Sequence, residues 1–464
     1  MQLFQLRLRA SVSRIYNQAE AAPGRCLLNR RILFLATLTF GATAGVVVAQ
    51  PATPVAIRED FKPGYQYSVV CRVNIEGELV LPPEKGQAVR LPVTGKSVIK
   101  YDERVLELKG DAVDRTVRFY DQMEFERKAG KDEQRGSLRA QVRRLVILRQ
   151  QQFEVPFSPD GPLLWEEIDM VRTDVFTPAL AGLLPTGKVR PGDNWKADPV
   201  AVQELTDLEK VTKGGLTCTL KLVTSDSFAR IAFAGQIDGI GEDGPASHEI
   251  EGFLDFDLTN NRTSYLSMQG THHMLDKDGK RTGGQIRGTF VMTRDGPRTG
   301  QISDAALKGK KLQPNDDNTQ IWFVNPEVGL SFLYPRQWHI GGVNGAKRQV
   351  GLDEKRGSGM LITVDVPQNV PELKRLQKEA NDDLAKQKAK VNKLDPARNV
   401  ATGIDTFGMD VEIGGRRVYL QYFLVRQKVG YAVLTANLQP DALAPLQKDL
   451  DRVVKSLVIS TPVK

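Results

Sequence analysis

The sequence predicts an α+β protein of two domains. The first is a large antiparallel β-sheet domain with few helices over residues 57–300; the second is an α-β-α sandwich over 320–460. Three observations predict this. Residues 57–300 alternate apolar and polar side chains again and again, the period of half-buried strands. Gly/Asp turn signals separate those runs at short spacing. Beyond a polar stretch at 301–319 the texture changes to strands mixed with two apolar stripes at helical spacing.

The chain opens on a basic leader with Arg7, Arg9, Arg14, Arg25, Arg30 and Arg31. It runs into Ile32–Ala49, about 18 residues without a charge, and exits through Gln50-Pro51-Ala52-Thr53-Pro54. A cationic segment, an apolar segment and small residues at Val47-Val48-Ala49 are the order of an export signal. Residues 1–49 therefore read as a signal peptide or as an uncleaved membrane anchor. The span is just long enough to cross a bilayer, but Thr37, Thr39, Gly41, Thr43 and Gly45 weaken it as an anchor. Cys26 precedes the apolar span, where a lipid-bearing cysteine cannot stand. The leader also holds most of the charge: six Arg against one Glu leave only +3 of the formal +8 for the rest. That balance argues against nucleic acid as a partner.

In the first domain, Tyr65–Ile75, Ser97–Tyr101, Val105–Lys109 and Thr116–Arg127 read as strands. Arg139, Arg143, Arg144 and Arg149, interleaved with Val142, Leu145, Ile147 and Leu148, read as one solvated basic face. Leu163–Leu184 breaks the rhythm. Its apolar residues lie near helical spacing and Thr177-Pro178 interrupts them, which predicts one or two short helices crossing the sheet. Leu216–Leu222, Ala229–Gly235, Ala246–Asp257, Thr263–Gly270 and Gln285–Arg294 resume the strands. Ser303–Asn318 reads as a flexible interdomain linker.

In the second domain, Gly329–Tyr334 is a strand stopped by Pro335, and Met360–Val366 is a β-branched run. Glu372–Leu394 carries a helical stripe of Leu373, Leu376, Ala380, Leu384, Val391 and Leu394. Three strands follow over Asp405–Ile413, Arg416–Lys428 and Gly430–Asn437, with a hairpin signal at Gly414-Gly415. A last helix spans Asp441–Leu457. The opening Gly329-Leu330-Ser331-Phe332-Leu333-Tyr334-Pro335, with Trp338 three residues on, resembles the start of the PsbP-like family. The order of strand, long helix, antiparallel strands and final helix is similar as well. The resemblance covers about 130 residues and implies the α-β-α sandwich but no shared active site. The first domain is loosely similar to bacterial envelope proteins built as a wide sheet over helices, with no motif to anchor it.

No constellation of residues points to catalysis or to a cofactor. His272-His273 with Asp276 and Asp278 is the only cluster of metal-ligand types, and adjacent strand residues face opposite ways. Asp276–Lys280 lacks the closing Glu of a calcium loop and reads as a hairpin turn. Gly95-Lys96-Ser97 lacks a phosphate cradle, and no Gly-x-Ser-x-Gly elbow is present. Glu166-Glu167 and Asp382-Asp383 read as solvated helix charges, and the four Trp are too scattered for a carbohydrate platform. Cys71 and Cys218 are either one disulfide or two buried thiols. The expectation is an exported, non-enzymatic envelope protein, periplasmic or secreted, that binds a protein partner or a lipid-like apolar ligand. Two alternatives stand beside it: an extracytoplasmic hydrolase using scattered residues such as His272, His273 and His339, and a structural protein held at the membrane by Ile32–Ala49.

Overall fold

The computed structural model describes residues 53–81, 88–150, 153–224, 227–241, 244–276 and 278–461. The leader, with Ile32–Ala49 and Cys26, lies outside them. No described helix is long and apolar enough to cross a membrane. The chain forms two compact units. Of the described residues, one unit takes those within 53–138, 148–154 and Arg172–Ala306; the other takes those within Arg139–Ile147, Val155–Val171 and 307–461. The division differs from the expected boundaries at 139–147 and 155–171, two excursions of the chain into the second unit.

The strands of the first unit are β1 (Gln66–Leu81), β2 (Val89–Lys109), β3 (Ala112–Ala129), β4 (Asp132–Ser137), β5 (Arg144–Gln150) and β6 (Phe153–Phe157). After β7 (Leu163–Leu164), which belongs to the second unit, come β8 (Asn194–Lys196), β9 (Lys210–Gly214), β10 (Thr217–Val223), β11 (Phe228–Gly241), β12 (Gly244–Asp257), β13 (Arg262–Leu275) and β14 (Arg281–Asp295). They form one thirteen-stranded sheet, ordered β6-β5-β3-β2-β1-β14-β13-β12-β11-β10-β8, with β4 on β3 and β9 on β11. Of β5 and β6, residues 148–150 and 153–154 belong to this unit. Neighbours joined by hairpins pair antiparallel, and β1 meets β14 antiparallel over Ser68–Glu78, which ties the two ends of the domain together. Alternation sorts the side chains. Tyr67, Val69, Cys71, Val73 and Ile75 of β1 are buried on the inner face, while Arg72, Asn74 and Glu76 face water.

Three expectations need correction here. Ser97–Tyr101 and Val105–Lys109 are not separate strands; they are one, β2. The charges between the two runs, Asp102 and Glu103, are buried within it and matched by partners. Leu163–Leu184 does not lie across the sheet as a whole. It splits into β7, the helix Trp165–Arg172 and the 3-10 helix Thr177–Leu183, and residues up to Val171 go to the second unit. The 3-10 helix packs on β3 and on an unforeseen helix, Pro199–Thr206, which in turn touches β9. That second helix begins as caps prescribe: the Asp198 side chain accepts from the Val200 N–H at 2.7 Å, and Pro199 takes the first position. The third correction concerns 301–319. The unit boundary falls inside it, and its start is tied to β2: Ile302, just before the Ser303–Asn318 stretch, is fully buried with its carbonyl accepting from Arg104, and Asp304 within the stretch accepts from the same side chain.

The second unit holds β15 (Ile321–Asn325), β16 (Leu330–Tyr334), β17 (Trp338–Asn344), β18 (Gln349–Glu354), β19 (Gly359–Asp365), β20 (Lys390–Ala401), β21 (Ile404–Ile413), β22 (Arg416–Gln427), β23 (Gly430–Leu438) and β24 (Val458–Ile459). Seven form the sheet β17-β18-β19-β23-β22-β21-β20, and a small sheet runs β24-β16-β15-β7. The helix Leu373–Lys386 packs Ala380 and Leu384 against Phe407, Met409, Val411, Val418 and Leu420. The helix Leu443–Ser456 meets β22 and β23 from residues of the opposite parity, its Gln447 donating to Gln421. The predicted helix Glu372–Leu394 therefore ends eight residues early. Lys388 turns left-handed at φ +55°, and the chain reverses into β20. Val391 and Leu394, expected in the helix stripe, lie exposed on that edge strand. Lys390, Lys393 and Pro396 lie along it, residue types that disfavour pairing of an open edge with another chain.

A polar groove on the outer face of the sheet domain

The outer face of the first unit is organised by register into rows that cross the strands. One row runs Gln236, Glu249, Thr271, Arg287 and Glu76, from β11 to β1. The next runs Ala234, Glu251, Gln269, Thr289 and Asn74 over the same strands. Between them lies Gly235, Ile250, Gly270, Gly288 and Ile75, whose positions face the interior by alternation. Backbone therefore floors the space between the two rows. Of these positions Gly235 is closely approached by the Gly215 backbone, which leaves no room for a side chain there. The result is a groove of about 810 Å³. It spans four inter-strand spacings, roughly 19 Å. A second depression of about 680 Å³ continues from it toward β10 and shares Ala234, Glu251, Gln269 and Thr289.

The walls are polar, and part of their charge is already matched. Glu249 accepts from Arg281 at 2.6 Å, a bond that holds its carboxyl below the usual range, and Glu251 accepts from Gln269. Glu76 stands directly across from Arg287. Among the described residues Asn74, Glu76, Thr271, Arg287 and Thr289 receive no side-chain hydrogen bond and give none.

The inner face carries a different assembly, which sequence reading missed. Arg118 is fully buried on β3 and lies opposite Glu103 of β2, which lies opposite Tyr67 of β1. Arg118 Nε donates to Glu103 at 2.8 Å and Nη1 donates to Asp174 at 2.9 Å. Tyr67 donates to Glu103 at 2.6 Å, Thr116 donates to it at 2.8 Å, and the guanidinium lies 4.6 Å from the Tyr101 ring centre. Burial works against the Arg118 charge, but Glu103 and its other neighbours outweigh it and raise its pKa. Burial pushes Asp174 up to about 7. Nearby, Glu204 accepts from Arg149 and from the Phe176 N–H, each at 2.6 Å. Glu154 stands 3.7 Å from Arg149 with no hydrogen bond of its own, and burial pushes it up to about 8. Shifted carboxylates of this kind suggest acid–base chemistry. Here each is sealed by its neighbours, so the cluster reads as a structural network. A further buried pair, Glu59 with Arg294, fastens the segment before β1 to β14.

The residues singled out from sequence fall as follows. His272 faces inward beside His248, ring centres 4.7 Å apart, while His273 lies 3.3 Å from the outer Glu249. Burial lowers both inner rings, His272 to about 4. His339 lies in the other unit, edge-on to Trp165. Asp276 Oδ1 accepts from the N–H groups of Asp278 and Lys280, so its carboxylate closes a turn. No group of three or more His, Cys, Asp or Glu among the described residues could hold a metal. Cys71 and Cys218 are free buried thiols, the second pushed up to about 12 by burial. Five strand spacings lie between them along the sheet, and the two are not joined by a disulfide. Gly95-Lys96-Ser97 lies within β2 and forms no loop.

Two charge readings are corrected. The Arg139–Arg149 segment is not a solvated face: Arg139 pairs with Glu167, Arg144 with Asp160 and Arg149 with Glu204. Glu167 is correspondingly buried, accepting from Arg139 and from the Leu164 N–H.

No protein-family model matches the sequence, and no curated protein matches it. Among solved structures, the cyanobacterial PsbP (CyanoP) of Synechocystis sp. PCC 6803 aligns at 15% identity and a TM-score of 0.24, covering 30% of this chain and 92% of that one. MucB in complex with MucA(peri) aligns at 10% identity and a TM-score of 0.16, covering 85% and 94%. DynU16, from the dynemicin biosynthetic locus, aligns at 10% identity and a TM-score of 0.10, covering 57% and 80%. The likeness to PsbP is distant, and superpositions at these scores carry no argument about function.

Proposed function

We propose that this chain is an exported, non-enzymatic binding protein of the cell envelope whose sheet domain holds its partner in the outer groove. The observation that carries the reading is a contrast of access. The shifted carboxylates that could run chemistry are sealed inside, while the groove lies open on a rigid sheet with hydrogen-bonding groups unspent. Export rests on the order of the leader and its apolar span. Polar walls favour a polar partner over a lipid, because the apolar side of the sheet is buried.

The second unit, in this reading, is a PsbP-like α-β-α sandwich. Its support is local. Pro335 follows the last residue of β16; Phe332, Tyr334 and Trp338 are buried; and Trp338 Nε1 donates to Asp449 of the final helix at 3.1 Å.

Two measurements test the proposal. N-terminal sequencing of native protein from fractionated cells is expected to find a start at Gln50 outside the cytosol; an intact cytosolic chain ends the export reading. Photo-crosslinking residues at Asn74 and Thr289 are expected to give discrete adducts. Failure at both positions ends the groove as the binding site.

A further inference from the structure

We infer that the groove binds a neutral, hydroxyl-rich chain, an oligosaccharide lying across the strands from β13 to β1. The inference rests on the groove being the binding face and names what it takes. Five side chains on three adjacent strands, Asn74, Glu76, Thr271, Arg287 and Thr289, project from the two walls without hydrogen bonds among the described residues. Together they offer an amide, two hydroxyls, a carboxylate and a guanidinium. That set contains both donors and acceptors at close spacing. A sugar hydroxyl both donates and accepts, so a row of them can use every one of these groups.

Other ligand classes fit less well. An added peptide strand needs free backbone N–H and C=O groups, and those of the floor are spent on the ladders between neighbouring strands. A polyanion meets three glutamates and one arginine in the lining. A polycation finds Glu249 already held by Arg281, and Glu76 facing Arg287. An acyl chain meets Asn, Gln, Glu, Thr and Arg side chains along both walls of this groove; the apolar Phe253 and Val291 line the neighbouring depression instead. The tryptophans do not contribute: Trp195 is occupied by the Leu183 carbonyl, and Trp165, Trp322 and Trp338 belong to the second unit. Recognition here works through hydrogen bonds alone.

The test is saturation-transfer NMR on the purified full-length chain with chitotetraose, cellotetraose and maltotetraose, beside tetralysine and tetraglutamate. At least one sugar is expected to bind, with an affinity unchanged between 50 and 300 mM salt because no ion pair forms. Asn74→Ala with Thr289→Ala is expected to weaken binding at least tenfold, and Thr289→Ser to retain it, which separates lost contacts from lost folding. Binding of none of the three sugars overturns the inference. So does sugar binding that the double substitution leaves untouched, or salt-sensitive binding of either charged peptide in place of the sugars. Protein adducts from the groove crosslinkers without sugar binding would end the ligand assignment and leave the proposed binding role standing. Loss of both would end both.

Discussion

Glu76 and Glu103 sit on neighbouring strands of one sheet and meet opposite fates. Glu103 is buried on the inner face and accepts from Tyr67, Thr116 and Arg118. Glu76 is exposed on the outer face and, among the described residues, accepts from no side chain. The difference teaches where this molecule has capacity left. Inside, nearly every charge is answered by another, because an unanswered one would cost several kcal/mol. Outside, the same residue types are held in register and left open.

The largest break in that contrast is Arg118→Met. It keeps most of the volume but leaves Glu103 and Asp174 buried without their cation. The expected loss is about 3–5 kcal/mol of unfolding free energy, read by urea denaturation. Removing Glu103, Arg118 and Asp174 together for apolar residues of similar size is expected to cost less than Arg118→Met alone. Equal or larger damage from the triple change would mean that the network stabilises the fold beyond cancelling its own charges.

The next effect is a dependence on pH. Asp174 and Glu154 ionise at about 7 and about 8 in the fold because burial disfavours their charge. In the unfolded chain they ionise near 4. Between those values the fold keeps protons that the unfolded chain has released, so stability falls as pH rises from about 4 to about 8. His248 and His272 act in the other direction. Burial pulls both down, His272 to about 4, so their contribution is lost as pH falls from about 6.5 through 4. The trends offset below about 6.5, and above it the carboxylates act alone. The melting temperature is expected to drop between about pH 6.5 and 8.5, and Glu154→Gln to make that slope shallower. An unchanged slope would place the protons elsewhere.

How much of this was legible in the residues divides along the same line. Alternation marked the strands, because period two survives wherever one face is wet. The Gly414-Gly415 hairpin was legible because both residues take positive φ, +56° and +78°. The pair Glu103 and Arg118 could have been found as well. Both are equidistant from the turn after Lys109, and the two register shifts between Val105 and Leu108 cancel, so counting back from Lys109 opposite Ala112 brings them together. Reading Ser97–Tyr101 and Val105–Lys109 as separate strands, with Asp102 and Glu103 left between them, hid it. The groove could not be read, since its rows need β1 beside β14, a pairing of residues more than 200 apart. The helix end at Lys388 was hidden for a local reason: Val391 and Leu394 fit the helical stripe by chance, and only a left-handed lysine shows the reversal.

The smallest effect on stability is the one that sharpens the comparison most. Asn74 and Thr271 stand in opposite walls of the groove, and neither makes a side-chain hydrogen bond among the described residues. Asn74→Ala with Thr271→Ala removes only cross-strand contacts, so the unfolding free energy is expected to change by less than about 1 kcal/mol. A groove kept for binding tolerates that change and loses ligand; a groove kept for the fold does not. Destabilisation approaching that of Arg118→Met would mean that these walls brace the sheet, and the contrast between a spent interior and an open exterior would fail.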